Sequence, residues 1–423
     1  MSYEMDFEHA LEIGRPPNIQ KLFPDSRAFI ISGKVINRAM IMKGDAVAVA
    51  ANGRNSAVIR GVLLAAQKAN AAAIIEIAKS ESTYCGVNFW NIASIVDNIC
   101  NDLDITIPVA IHADHYTIKN PDDLKKAKNE IPIMFNNGIT SIAIDASHMT
   151  DADNLLACLE LAQFVPPWAG FEVEVGEIKG KEGLSTVDEA LFLIKGLNAH
   201  GVFPDWIALN NGTTHGIEAS SGGIQVDLTT EIHKAIELYG VMGAQHGTSG
   251  NSFERLRDIA KQTNTTKANV ATALMMISWG VEVNDYGNAV VDGDGNFIKR
   301  VDRGVCDDVW ARMATYAEEK GWSGGNYKKL CLPFEVELLN QQQSVCERMS
   351  NGVKEFTYLL MKDVLNTIDT APLAVETVLN AGSYDLGFSG ERTENPTDWT
   401  LDKITEKAMK LSSKATLCGD FDD

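Results

Sequence analysis

The sequence predicts an α/β chain folded as a (β/α)8 TIM barrel, with an N-terminal extension and a C-terminal helical appendage. Three observations carry that expectation. From residue 46 onward, short β-rich runs alternate with longer segments of helical period, the pattern of repeated βα units around a parallel sheet. Eight such runs can be counted over roughly 250 residues, the usual size of this barrel. No G-x-G-x-x-G turn follows the first run, as a doubly wound dinucleotide fold would require.

The expected strands are residues 46–50, 73–77, 107–111, 140–145, 170–175, 205–210, 241–245 and 280–284. Between them, apolar residues recur with helical spacing over 56–70, 121–136, 151–164, 187–199, 228–238 and 252–262. The D-G-D-G-N stretch around Asp292, Asp294 and Gly295 reads as a polar hairpin turn, because a calcium loop needs a longer run of ligands ending in Glu. Residues 323–333 read as a loop and 334–366 as one or two helices. The expected division is an extension over 1–45 packing on the barrel, the barrel with its terminal helices over 46–366, and a second extension over 367–423.

Composition narrows the partners. Of 423 residues, 45% are hydrophobic and 22% charged, enough to bury a large core. Lys plus Arg number 37 against 57 Asp plus Glu, a formal charge of −20 that repels phosphate backbones and anionic lipid. Neither nucleic acid nor a membrane is an expected partner. No run of 18 apolar residues occurs, and the N-terminus carries acids where a signal peptide carries bases. The seven cysteines are scattered, with no C-x-x-C pair, and read as reduced thiols in the cytoplasm.

Catalytic groups of such a barrel sit at the carboxyl ends of its strands. There the chain places His112-Ala113-Asp114-His115 after the third run, Asp145 at the end of the fourth, and Glu172 and Glu174 in the fifth. His215-Gly216 follows the sixth, His246-Gly247-Thr248-Ser249-Gly250 the seventh, and Asn284-Asp285 ends the eighth. Singly, each histidine reads as a hydrogen-bonded core or loop residue. Jointly, His115, His215 and His246 make an N3 set with open positions, the donor pattern of a catalytic divalent cation. Asp145 and Glu174 are candidates to orient those imidazoles or to ligate in their place. The glycines and hydroxyls after His246 aim backbone N–H groups at an anion, with phosphate the natural guest.

These segments resemble one family closely. I-P-V-A-I-H-A-D-H-Y (107–116), F-E-V-E-V-G-E-I-K-G-K-E-G (171–183), His215-Gly216 and H-G-T-S-G (246–250) are similar, in order and spacing, to the class II, metal-dependent fructose-bisphosphate aldolases and their ketose-bisphosphate relatives. Residues 52–80 are similar to that family's first βα unit, and the resemblance runs over about 45–365. It implies a lyase that cleaves a phosphorylated ketose reversibly, by default fructose 1,6-bisphosphate to dihydroxyacetone phosphate and glyceraldehyde 3-phosphate, as a homodimer or homotetramer. It further implies a metal on His115, His215 and His246 with Glu174 and Asp145 beside it. Zn2+ is the usual ion, Co2+, Fe2+ or Mn2+ are alternatives, and a monovalent cation is a further candidate. Asp114 takes the role of acid/base at the C4 hydroxyl, and Glu182 that of the group moving the proton at C3. Ser80, Gly216, Gly247, Thr248 and Ser249 are implied to meet phosphate, and Asn284 with Asp285 to meet substrate. The chemistry agrees: breaking the C3–C4 bond leaves charge on an enolate that a Lewis acid stabilises, while a carboxylate deprotonates the C4 hydroxyl.

Two segments depart from the pattern. Where the family has K-x-N-x-D-T, the expected eighth strand reads Glu282-Val283-Asn284-Asp285-Tyr286-Gly287. Leu332 stands where long-form members carry an Arg for the distal phosphate, with Lys328, Lys329 and Arg303 as the nearby cations. These departures support a second reading, an aldolase for tagatose bisphosphate, a ketose 1-phosphate or another anionic ketose. A non-catalytic barrel relative is a third, opposed by the intact Asp114 and Glu182.

Overall fold

Eight strands, each short and alternating in what it turns inward, close on themselves. In the computed structural model, which describes residues 3–176, 183–212 and 223–412, the strands are β1 (Ile30–Ile31), β2 (Ala48–Asn52), β3 (Ala73–Ala78), β4 (Val109–Thr117), β5 (Ser141–Asp145), β6 (Gly170–Val175), β7 (Trp206–Leu209), β8 (Met242–Gln245) and β9 (Thr265–Val270). All pairings among them are parallel, and β2 pairs with β9 while β4 pairs with β5, so β2 to β9 form the closed (β/α)8 barrel. The outward residues, among them Val49, Ile75, Ile111, Ile142, Val173 and Ile207, pack under the surrounding helices in one buried cluster. Helices such as Ser56–Ala69, Pro121–Asn136, Asp151–Leu161 and Phe253–Gln262 start at Asn55, Asn120, Thr150 and Ser252, whose side chains accept the first free N–H groups. Val187–Ala199 starts at a full capping box between Thr186 and Glu189.

One expected strand is corrected. The eighth barrel strand is Thr265–Val270, and residues 280–284 lie beyond the following helix, Thr272–Trp279, in an excursion held by isolated antiparallel bridges at Val281, Val283 and Val291. G-V-E-V-N alternates as a strand should, whereas T-T-K-A-N-V carries Lys and Asn at its inward positions and has only Ala268 and Val270 as apolar residues. Within the excursion the polar turn is present: Asp292 Oδ1 accepts from the N–H groups of Asp294 and Asn296. Residues 323–333, read as a loop, contain the 3-10 helix Gly324–Leu330. The excursion packs with helix Asp307–Glu319 and this segment through Trp279, Val281, Val309, Met313, Leu330 and Phe334, a satellite core beside the barrel.

The N-terminal mouth of the barrel is filled. β1 pairs with the start of β4, Ile30 with Val109 and Ile31 with Ala110, below the point where β5 joins at His112 and Ser141. The next helix, Gly33–Lys43, begins at Ser32, whose Oγ accepts from Lys34 N–H at 3.1 Å and donates to Trp168 C=O at 2.6 Å. Its residues Val35, Ile36, Ala39 and Met40 share a buried cluster with the inward residues Ala48, Ala50, Ile74, Ala110 and Trp206. A Cβ on Gly33 would lie 2.6 Å from Ser141 Oγ, so only glycine lets the helix start this close to the strands.

Candidate metal centre and acid/base site

Above that apolar floor the inward positions turn polar. Glu76 on β3, His112 and Asp114 on β4, Glu172 and Glu174 on β6, and Lys267 and Asn269 on β9 are all buried. Alternation explains the choice, since every second strand residue faces the barrel axis. Lys267 Nζ lies 3.0 Å from Glu172 and 3.2 Å from Glu76, and donates to Asn269 Oδ1 at 2.8 Å. His112 Nδ1 meets Ser141 Oγ at 2.7 Å, and burial together with Lys267 pushes its imidazole down to about 3, so it is neutral. Burial pushes the Glu76 carboxyl well up, with Asp114 adding to the rise.

At the C-terminal end of β4 the strand bulges between Ala113 and Tyr116, and His115 takes a left-handed φ of 42°. A non-glycine residue held there stores strain, a feature that clusters at functional sites. The bulge lets Asp114 and His115, neighbours in sequence, both reach the mouth. His115 Nδ1 is 3.1 Å from Glu174 and 3.7 Å from Asp145, and its ring lies 4.2 Å from that of His246, centroid to centroid. His246 Nε2 meets Glu172 at 2.9 Å, while its Nδ1 is buried without a hydrogen-bond partner, 3.8 Å from Glu174. Ligand atoms of Asp114, His115 and His246 lie within 4.8 Å of one another, as do those of His115, Asp145 and Glu174, and those of Glu172, Glu174 and His246. Two imidazoles and a carboxylate meeting around one orphaned ring nitrogen fit a divalent cation.

Asp114 is clamped. Asn52 Nδ2 donates to one oxygen at 3.1 Å and Asn269 Nδ2 to the other at 2.9 Å. Burial raises this carboxyl, but the charges of His115, Lys267 and His246 outweigh it and hold the group below the usual carboxylate range. Asp145 likewise sits below that range: burial is outweighed by His115 and by the Ser147 hydroxyl, which donates at 2.6 Å. Glu174 is raised, by burial first and Asp145 second. Behind Asn52, Glu81 accepts from Asn52 Nδ2 at 2.9 Å, Ala78 N–H at 3.0 Å and Arg54 Nε at 2.6 Å.

The loop after β8 keeps its expected shape. Gly247 has φ 63°, and the hydroxyls of Thr248 and Ser249 are buried without partners beside a pocket also lined by Ala273, Tyr286 and Gly287. Other expected residues lie elsewhere. Ser80 is exposed, its carbonyl taken by Thr83. Asn284 and Asp285 are exposed in the excursion, where Asn284 Oδ1 accepts from Tyr286 and Asn288 N–H. The excursion still touches the loop, since Gly250 N–H donates to Tyr286 C=O at 2.8 Å. His215, Gly216 and Glu182 lie outside the described residues.

With this geometry in hand, the family model of fructose-bisphosphate aldolase class-II matches residues 35–320, most of the chain and all eight barrel strands. The chain belongs to that family. A fructose-bisphosphate aldolase of Staphylococcus aureus (strain Mu50 / ATCC 700699) is 30% identical over 134 residues, 31% of this chain and 43% of that protein. The match therefore spans less than half the length of that curated relative. Among solved structures, the YdjI aldolase from Escherichia coli K12 aligns with a TM-score of 0.52 at 17% identity, covering 81% of this chain and 99% of that one. A fructose-bisphosphate aldolase (Fba) from Campylobacter jejuni gives 0.53 at 17%, covering 81% and 97%. At that identity the likeness speaks for the fold.

The corrected strand removes one apparent departure from the class-II pattern. K-x-N-x-D-T is met by Lys267-Ala268-Asn269-Val270-Ala271-Thr272, with Ala271 as the single change. Sequence reading missed Lys267, Asn269, Asn52 and Glu81, although the K-x-N spacing was the signal that finds the first two.

Proposed function

We propose that the chain is a class II aldolase, cleaving a phosphorylated ketose reversibly between C3 and C4. The observation that carries this reading is Asp114 beside His115: a clamped carboxylate held in its base form within 4.8 Å of two imidazoles at the barrel mouth. His115 and His246 would hold the cation, with His215 as the expected third ligand and Glu174 and Asp145 at its edge. When bound, the cation supplies a Lewis acid for the ketose carbonyl and C3 oxygen. Asp114 takes the proton from the C4 hydroxyl, and its two amide donors fix the oxygens without competing for that proton. Glu182 is the expected carrier of the C3 proton. The unpartnered hydroxyls of Thr248 and Ser249, with Gly247 and Gly216, bind the phosphate nearest the carbonyl. Zinc is the ion we expect, on the strength of the imidazole-rich donor set. The six described cysteines are free thiols, which supports a cytoplasmic setting.

Fructose 1,6-bisphosphate is the default substrate. One observation favours a second reading, an aldolase for another anionic ketose: Ala271 and Leu332 remove an acid and a base from positions where the family resemblance expects them. Cleavage of fructose 1,6-bisphosphate, tagatose 1,6-bisphosphate and ketose 1-phosphates, each with chelator and then with Zn2+ restored, tests both. Cleavage lost on chelation and recovered with Zn2+ supports the aldolase reading. Turnover indifferent to chelation, or absent on every ketose, would overturn it.

A further inference from the structure

Lys267 has no exposed surface. Its ammonium donates to Asn269 Oδ1 at 2.8 Å and is ion-paired with Glu172 Oε2 at 3.0 Å and Glu76 Oε2 at 3.2 Å. What it holds is the carboxylate of Glu172, which is also fully buried. The other oxygen of that carboxylate, Oε1, faces His246 Nε2 at 2.9 Å, and His112 Nε2 stands 3.5 Å from Oε2.

A carboxylate only accepts, so the His246 nitrogen facing Glu172 carries the proton. Nδ1 is then left with its lone pair, and this is the buried, unpartnered atom that points toward Glu174 and the His115 ring. The partner of the remote nitrogen thus decides which nitrogen is offered to a metal. Without the ammonium, Oε2 of Glu172 keeps only the distant His112, and nothing fixes the carboxylate plane.

We infer that Lys267 is a positioning residue for the metal centre, locking Glu172 so that His246 presents Nδ1 as the ligating atom. The inference rests on the metal-centre reading given above. It also assigns a role to Glu172, which the sequence only places in the fifth run beside Glu174.

A double-mutant cycle on metal affinity separates this role from a general loss of packing. Metal-free wild type, Lys267→Met, Glu172→Gln and the double variant are each titrated with Zn2+ against a chromophoric chelator. Each single change is expected to weaken Zn2+ binding about 10- to 100-fold. The double variant is expected to bind no more weakly than Glu172→Gln alone, because the lysine acts through that carboxylate. Lys267→Met affinity within twofold of wild type, or losses that multiply in the double variant, would overturn the inference. Should Lys267→Met fail to fold, the neutral pair Lys267→Met/Glu172→Gln against Glu172→Gln decides it: equal affinity supports the inference and weaker affinity overturns it. Failure of the wild type itself to bind Zn2+ would instead overturn the metal-centre reading on which the inference stands.

Discussion

Asn269 donates to one oxygen of Asp114 at 2.9 Å, and the lone Oδ1 of the same asparagine is taken by Lys267, so the proposed acid/base group is tied through one amide to the polar interior of the barrel. With Asn52 donating to its other oxygen, Asp114 has to accept on both sides. In Asp114→Asn the new NH2 group must face one of these two donors. Metal content should stay while kcat falls about 10²-fold or more, the size of a lost general base. Metal analysis beside steady-state kinetics on the best ketose checks this. A change confined to KM would remove the assigned role.

His115→Ala and His246→Ala should each strip the cation and abolish cleavage together. Each change leaves one fewer imidazole, and an incomplete donor set loses geometry as well as affinity. Elemental analysis of the purified variants reads the first effect. A His246→Ala protein with full metal content would sink the ligand assignment.

Arg54 and Glu81 form a buried pair, about 5% and 3% exposed, joined at 2.6 Å, and Arg54 Nη1 also reaches Thr272 Oγ1 at 3.2 Å. Removing one charge strands the other. Arg54→Met should therefore cost about 3–5 kcal/mol, and Arg54→Met/Glu81→Gln should recover much of it. Urea unfolding of the three proteins measures the difference; a single variant as stable as wild type would show that the pair is not buried as described.

Asp205 supplies a pH test remote from the metal centre. Burial pushes its carboxyl up to about 6, against the pull of Lys34 and of the Phe171 N–H that it accepts at 3.0 Å. The unfolded value is lower, about 3.9. The folded state therefore holds this proton more tightly, and the stability it contributes is full below pH 4 and lost as pH rises through 6. Between those limits the wild type should lose up to about 3 kcal/mol relative to Asp205→Asn. Parallel pH slopes in urea unfolding would contradict this.

The apolar and β-branched strands were legible in sequence because burial on both faces leaves runs such as A-I-I-E-I-A, which nothing but a buried strand or helix explains. Strand β9 escaped because its inward positions carry Lys267 and Asn269, polar residues whose partners are each other and groups on other strands. The same holds for the site. His115, His246 and Asp114 advertise themselves through residue type and position at strand ends. Asn52 and Glu81 do not, since an amide or acid near a strand end looks like any loop residue until its partner is known. Asn284 took the place of Asn269 in the reading because a strand-like G-V-E-V-N preceded it.

The helix Gly33–Lys43 stoppers the N-terminal end of the barrel with Val35, Ile36 and Met40 against Trp206. The barrel is therefore closed at that end, and its axis above the stopper is packed with the buried side chains of Glu76, His112, Glu172 and Lys267. Anything that reaches Asp114 or His246 has to come and go by the opposite rim, where the strands end.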